Sequence, residues 1–125
     1  MVTECKFTEL KDREEKKYGL RTGHTYALLD TVDVKDGDND VTLVKLRNPY
    51  GKDEYTGAWN RDDPKWTDEN KELAELDKAK YGIFFIPMDV YMECFATYTV
   101  NMYDDNWFTS RNTIYTKGMT AAEKT

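Results

Sequence analysis

The chain's only histidine, His24, heads an apolar run in Gly23-His24-Thr25-Tyr26. Asn48 closes the next apolar run, in Leu46-Arg47-Asn48-Pro49-Tyr50-Gly51. An imidazole is a general base near neutral pH. It serves best when its second ring nitrogen meets an acceptor that fixes the tautomer, and an Asn carbonyl does so without adding charge. A cysteine thiol beside such a pair becomes a thiolate–imidazolium nucleophile. His24 and Asn48 read either as a structural histidine and a turn asparagine or as two members of a Cys-His-Asn site. Pro49 pushes Asn48 toward extended backbone, away from helix.

The third member is not evident. The two cysteines are Cys5 and Cys94, in neither a C-x-x-C nor a zinc spacing. A reactive thiol opens a helix in an electropositive, partly exposed place. Cys5 stands between Glu4 and Lys6 in an expected strand, and Cys94 on the expected inner face of a helix. Both read as buried structural thiols. The acidic run Asp36-Gly37-Asp38-Asn39-Asp40 fails as a calcium loop, because Val41 stands where the sharp-turn Gly belongs and Arg47 where the closing Glu belongs. It reads as a hairpin turn. Asp62 and Asp63, before Pro64, read as turn residues.

These groups need elements to position them. His24–Val34 and Val41–Leu46 alternate as strands around Lys35–Asp40, which predicts a hairpin. Its open end places His24 beside Asn48, the geometric basis for a contact between them. Val2–Phe7 is a further strand, and the charged stretch Glu9–Lys17 a solvated helix or loop. Asn48–Lys65 is long, irregular and rich in Gly, Asp and aromatics, as functional loops often are. Its aromatics Tyr50, Tyr55 and Trp59, with Trp66, form either core or the wall of a cleft. Thr67–Lys78 predicts a helix capped by Thr67 or Asp68, with Leu73 and Leu76 inward. Tyr81–Ile86 predicts a strand, and Pro87–Phe95 a short helix with Val90, Tyr91, Cys94 and Phe95 inward. Ala96–Tyr103 predicts a strand with Tyr98, Val100 and Met102 on one face, and 116–125 frays.

The 125 residues suffice for a single domain with its own core, spanning 1–125. Seventeen aromatics oppose disorder despite the 34% of charged residues. A net charge of −6 without a basic stripe argues against nucleic acid and anionic membranes as partners. No apolar stretch approaches the length of a membrane span, and the N-terminus lacks a signal-peptide pattern. Two scattered cysteines fit a reducing, cytoplasmic setting, with a single disulfide between them as the alternative.

Taken together, Gly19-Leu20, Gly23-His24-Thr25-Tyr26, Leu46-Arg47-Asn48-Pro49-Tyr50-Gly51, Tyr55-Thr56-Gly57-Ala58-Trp59 and Trp66 resemble the calpain family of cysteine proteases. Gly82 to Phe85, followed by Met88-Asp89 to Phe95, is similar to that family's G-x-F-W segment and short helix. The resemblance is strongest over 19–103 and matches the second half of the protease core. It implies a mainly β (α+β) fold, a papain-like second-half subdomain of antiparallel sheets with short helices. By it His24 is the general base and Asn48 its orienter. Tyr50 replaces the family's usual Trp after Asn-Pro, and Trp59 is a structural aromatic supporting the pair. The nucleophilic Cys then belongs to a preceding subdomain of the same parent chain, with a protein or peptide substrate in the cleft between.

Calcium-regulated calpains carry a site in this subdomain, made by acidic residues in three places. Glu54 keeps the first, Arg61 replaces the second, and Tyr81 and Ile83 replace the flanking pair. The resemblance therefore implies no cofactor here and a degraded calcium site. The leading expectation is the His/Asn half of an intracellular cysteine endopeptidase, inert alone. The alternatives are a non-catalytic calpain-like scaffold or regulatory module, and an unrelated β-rich binding domain.

Overall fold

A computed structural model of the chain describes residues 1–5, 18–100, 106 and 110. The expectations for Glu9–Lys17, for Met102 and for 116–125 lie outside those residues. Five strands form one antiparallel sheet: β1 (Val2–Cys5), β2 (Thr25–Asp36), β3 (Asn39–Arg47), β4 (Ile83–Pro87) and β5 (Phe95–Thr99), in the order β4-β3-β2-β1-β5. Among the described residues two short helices, α1 (Asp68–Leu73) and α2 (Met88–Cys94), and a turn of 3-10 helix at Leu76–Lys78 pack against it. This is the mainly β architecture with short helices expected above.

The hairpin of β2 and β3 is the backbone of the fold. Asp36 pairs with Asn39, so Gly37 and Asp38 alone make the turn. Gly37 has φ 63°, the positive value the first position of a primed two-residue turn requires. At the open end Ala27 pairs with Arg47, leaving His24 and Asn48 just outside the ladder.

Between Leu28 and Asp30 the register slips by one residue, leaving Leu29 as a bulge, 43% exposed. The slip changes which face the side chains of β2 serve. Before it, Tyr26 and Leu28 pack with Val44, Leu46, Phe84, Ile86 and Phe95 on one side of the sheet. After it, Val32 and Val34 pack with Leu43, Phe85, Trp59, Trp66 and Leu76 on the other. Both faces are covered, which is why β3 reads Val-Thr-Leu-Val-Lys-Leu rather than as strict alternation.

The second face is roofed by the 57–66 loop and α1. Trp59 and Trp66 meet edge to face at 5.1 Å, and Trp66 meets Phe85 at 5.5 Å. The Trp66 indole donates to the Asn60 carbonyl at 2.8 Å. Asp63 braces the loop, accepting from the backbone N–H groups of Trp59 at 2.6 Å and Lys65 at 2.9 Å. That is a turn role, as expected for this residue.

Thr67 caps α1, its hydroxyl accepting from the Asn70 N–H at 3.2 Å. The helix is shorter than the expected Thr67–Lys78. Glu75 adopts φ 51° and splits it from the 3-10 turn. Leu76 is buried at 6% exposure, but Leu73 is 55% exposed and not inward. The break rotates the chain so that Ala74, Leu76 and Ala79 fill the core in its place. At the other end of the chain β5 is an edge strand that stops at Thr99, short of the expected Tyr103, and Tyr98 and Val100 are exposed together with Thr97 and Thr99.

Asn70 is a core polar residue that the periodicity did not single out. It is 1% exposed; its amide donates to the Lys35 carbonyl at 2.7 Å and accepts from the Lys35 N–H at 3.2 Å. β1 covers β2 only as far as Ala27, so Asn70 stands in for a neighbouring strand at the open stretch of the edge. Asn70→Leu keeps the volume and strands both Lys35 groups, so it is expected to lower unfolding free energy by about 2 kcal/mol. Denaturant titration reads this directly, and an unchanged midpoint would refute the strand-substitute role.

Candidate active site

His24 precedes β2 and Asn48 follows β3, 24 residues later. His24 Nε2 lies 3.2 Å from Asn48 Oδ1. The Tyr50 backbone N–H also donates to Asn48 Oδ1, at 3.0 Å. A peptide N–H is always a donor, so this bond identifies the oxygen end of the Asn48 amide. The same oxygen can only accept from His24, and the imidazole must therefore carry its proton on Nε2. In the neutral ring Nδ1 is then left with its lone pair, the form a general base requires.

Asn48 is 2% exposed, and its own backbone is held on both sides. Its N–H donates to the Gly82 carbonyl at 2.9 Å, and its carbonyl accepts from the Gly51 N–H at 2.9 Å. The Tyr50 ring stacks on His24 at 5.1 Å, with 12° between the planes, while Tyr26 meets the imidazole edge-on at 4.8 Å. Tyr26 in turn meets Phe84 at 5.8 Å and Phe95 at 5.6 Å. The imidazole is thus clamped between a core aromatic and an outer one; Tyr50 itself is 69% exposed.

An open groove of about 520 Å³ runs along 19–24 and ends at Tyr50, with His24 on its wall. Beside it the Arg21 guanidinium grips Glu54 through two bonds, Nε at 2.7 Å and Nη2 at 2.8 Å. That bond holds the Glu54 carboxyl below the usual carboxylate range. Burial pushes the neighbouring Asp53 carboxyl upward, against the Tyr55 N–H and Arg61, which favour its charge.

The sequence profile described as calpain family cysteine protease matches residues 1–102. This chain belongs to the calpain family. It is 36% identical to human calpain-12 over 94 residues, covering 72% of this chain and 13% of that protein. Mouse calpain-8 is 35% identical over 80 residues, covering 62% of the chain and 11% of that protein. The mouse calpain-2 catalytic subunit is 33% identical over 67 residues, covering 53% and 10%. The chain spans about an eighth of the length of the calpain-12 it matches. Among the described residues no helix is long and apolar enough to cross a membrane.

Of the residues singled out in this calpain sequence, the fold brings His24, Asn48 and Tyr50 together. Trp59 stands elsewhere: it is 2% exposed in the cluster on the far face of the sheet, against Trp66. The aromatic on the imidazole is Tyr50. Cys94 is 1% exposed at the end of α2, inaccessible to a substrate, and Cys5 ends β1. Gly82 belongs to a sequence motif, and its carbonyl seats Asn48. No sequence signal short of the pairing itself could have assigned that contact.

Proposed function

We propose that this chain is the His/Asn-bearing subdomain of a calpain-family cysteine endopeptidase, with His24 the general base and Asn48 its orienter. The supporting observation is the His24 Nε2 to Asn48 Oδ1 bond at 3.2 Å, with the amide oriented by the Tyr50 N–H. The nucleophilic Cys comes from a preceding subdomain, and the peptide lies in the cleft between them.

The chemistry then follows from the tautomer. His24 Nδ1 takes the thiol proton, and the thiolate adds to the scissile carbonyl carbon. The imidazolium returns that proton to the departing amine as the C–N bond breaks, leaving an acyl-enzyme. Water attacks the thioester, with His24 accepting its proton, and the acid departs as the thiolate–imidazolium pair is restored. The Asn48 carbonyl holds the ring through every step without gaining or losing a proton. The 125-residue chain by itself has half a cleft and no placed thiol, so it is inert.

Active-site labelling of the full-length parent protein tests this. An electrophilic peptide probe for cysteine proteases is expected to label it, and labelling is expected to vanish in His24→Ala. No labelling with calcium or with chelator would favour a non-catalytic calpain-like module instead. Tyr50 gives a finer check. Stacked aromatic pairs are worth about 0.5–1.5 kcal/mol, so Tyr50→Ala is expected to slow kcat by roughly two- to tenfold. Tyr50→Phe keeps the ring and the backbone N–H and is expected to match the parent rate. Equal rates for all three proteins would remove Tyr50 from the site.

A further inference from the structure

Arg61 sits where two segments of irregular chain meet. Its Nη1 donates to the Leu76 carbonyl at 3.5 Å and its Nη2 to the Ala79 carbonyl. Its Nε lies 4.0 Å from the Asp53 carboxylate. Ala79 closes the 3-10 turn Leu76–Lys78, its N–H donating to the Leu76 carbonyl at 3.1 Å, so both carbonyls that Arg61 meets belong to that one turn. One fixed cation therefore serves three oxygen groups drawn from residues 53 and 76–79.

Family membership raises calcium at this place, and the donor set does not suit it. Calcium takes six to eight oxygen ligands. Glu54 is already held by Arg21 through two bonds. Tyr81 is 78% exposed and offers no carboxylate, and Ile83 packs against the core beneath the sheet. Among the described residues no group of three or more His, Cys, Asp or Glu gathers as a metal set. The carbonyls a metal would want are occupied by a guanidinium, whose positive charge repels a second cation.

We propose that Arg61 is a resident cation, fastening the 53–61 loop to the 76–83 segment where calcium-regulated relatives use the metal, so that this subdomain has no calcium response. The fastened segment includes Gly82, whose carbonyl accepts the Asn48 N–H. Arg61 thus holds the support of the dyad in place permanently rather than on a calcium signal. The metal statement stands without any proteolysis; only its consequence for the dyad rests on the function proposed above.

Calcium titration of the 125-residue chain tests the proposal without reference to activity. A calcium ion at a hundred times its Kd would raise Tm by roughly 8 °C. The expected result is no calorimetric heat and an unchanged Tm between chelator and about 1 mM calcium, the range of weak extracellular modules. Saturable calcium binding with a rise in Tm would overturn it. The fastening role is read by hydrogen exchange. Arg61→Ala is expected to speed exchange of the 76–83 amides at least tenfold, with Arg61→Lys between it and the parent. Unchanged exchange in both variants would overturn that role. Should Arg61→Ala fail to fold, Arg61→Lys and the parent titration still decide.

Discussion

His24→Ala in the full-length protein is expected to lower peptide cleavage by about 10⁴-fold or more. General acid–base catalysis alone accounts for 10²–10⁴, and loss of a nucleophile's base also removes the thiolate on which the attack depends. Asn48→Ala is expected to cost less, about 10²-fold, because the imidazole remains between Tyr26 and Tyr50 but its tautomer is no longer fixed. Its carbonyl is the acceptor at 3.2 Å. The pair should behave as one unit: the double variant is expected to be no slower than His24→Ala alone. Steady-state kcat/KM on a peptide substrate gives all four corners of the cycle. Additive losses would mean that the two residues act separately, and that the hydrogen bond carries no catalytic weight.

Gly82→Val is the second large effect, and it acts on the fold and the site together. Gly82 has φ 86°, a region a β-branched residue enters only with strain of about 1–3 kcal/mol. A Cβ there would also stand 2.8 Å from the Asn48 carbonyl oxygen and 2.9 Å from the Gly51 carbonyl carbon. Both are backbone atoms, so neither can swing aside. Relief requires moving the 48–51 turn, and with it the Asn48 side chain. The expected loss is about 3–4 kcal/mol of stability, a Tm fall on the order of 10 °C for a domain of this size. Thermal unfolding measures the first part. Histidine NMR measures the second: the His24 Nε2 proton, held by Asn48 in the parent, is expected to exchange with solvent faster in the variant. A variant with the parent Tm and the parent imidazole signal would refute the claim that Gly82 seats the dyad.

Much of this arrangement is legible in the chain. The hairpin is local: two alternating runs around a Gly-Asp turn bring their open ends together by geometry alone. That is why the meeting of His24 and Asn48 could be expected from the spacing of the runs. The Thr67 cap and the helix after Pro87 are local signals too. The β-bulge at Leu29 is not local. Leu28-Leu29 is equally consistent with either register, and only packing on both sides of the sheet decides where the slip falls. Leu73 misleads for the same reason. Its spacing from Leu76 suits a continuous helix, while the core accepts Ala74, Leu76 and Ala79 from a broken one.

The motifs around His24 and Asn48 carried the resemblance that implied the family and the mainly antiparallel fold, and the spacing of the two apolar runs placed both side chains at one end of a hairpin. Those depend on short-range pattern and on chemistry that each side chain carries wherever it stands. Tertiary structure alone decided that Tyr50, not Trp59, faces the imidazole, since two aromatics nine positions apart in an irregular loop can go to either face of a sheet. It alone decided that Gly82 seats Asn48 and that Arg61 serves the carbonyls of Leu76 and Ala79. Those contacts join backbone atoms far apart in sequence, and every residue carries the same backbone carbonyl, so nothing in the lettering of the chain distinguishes the ones that are used.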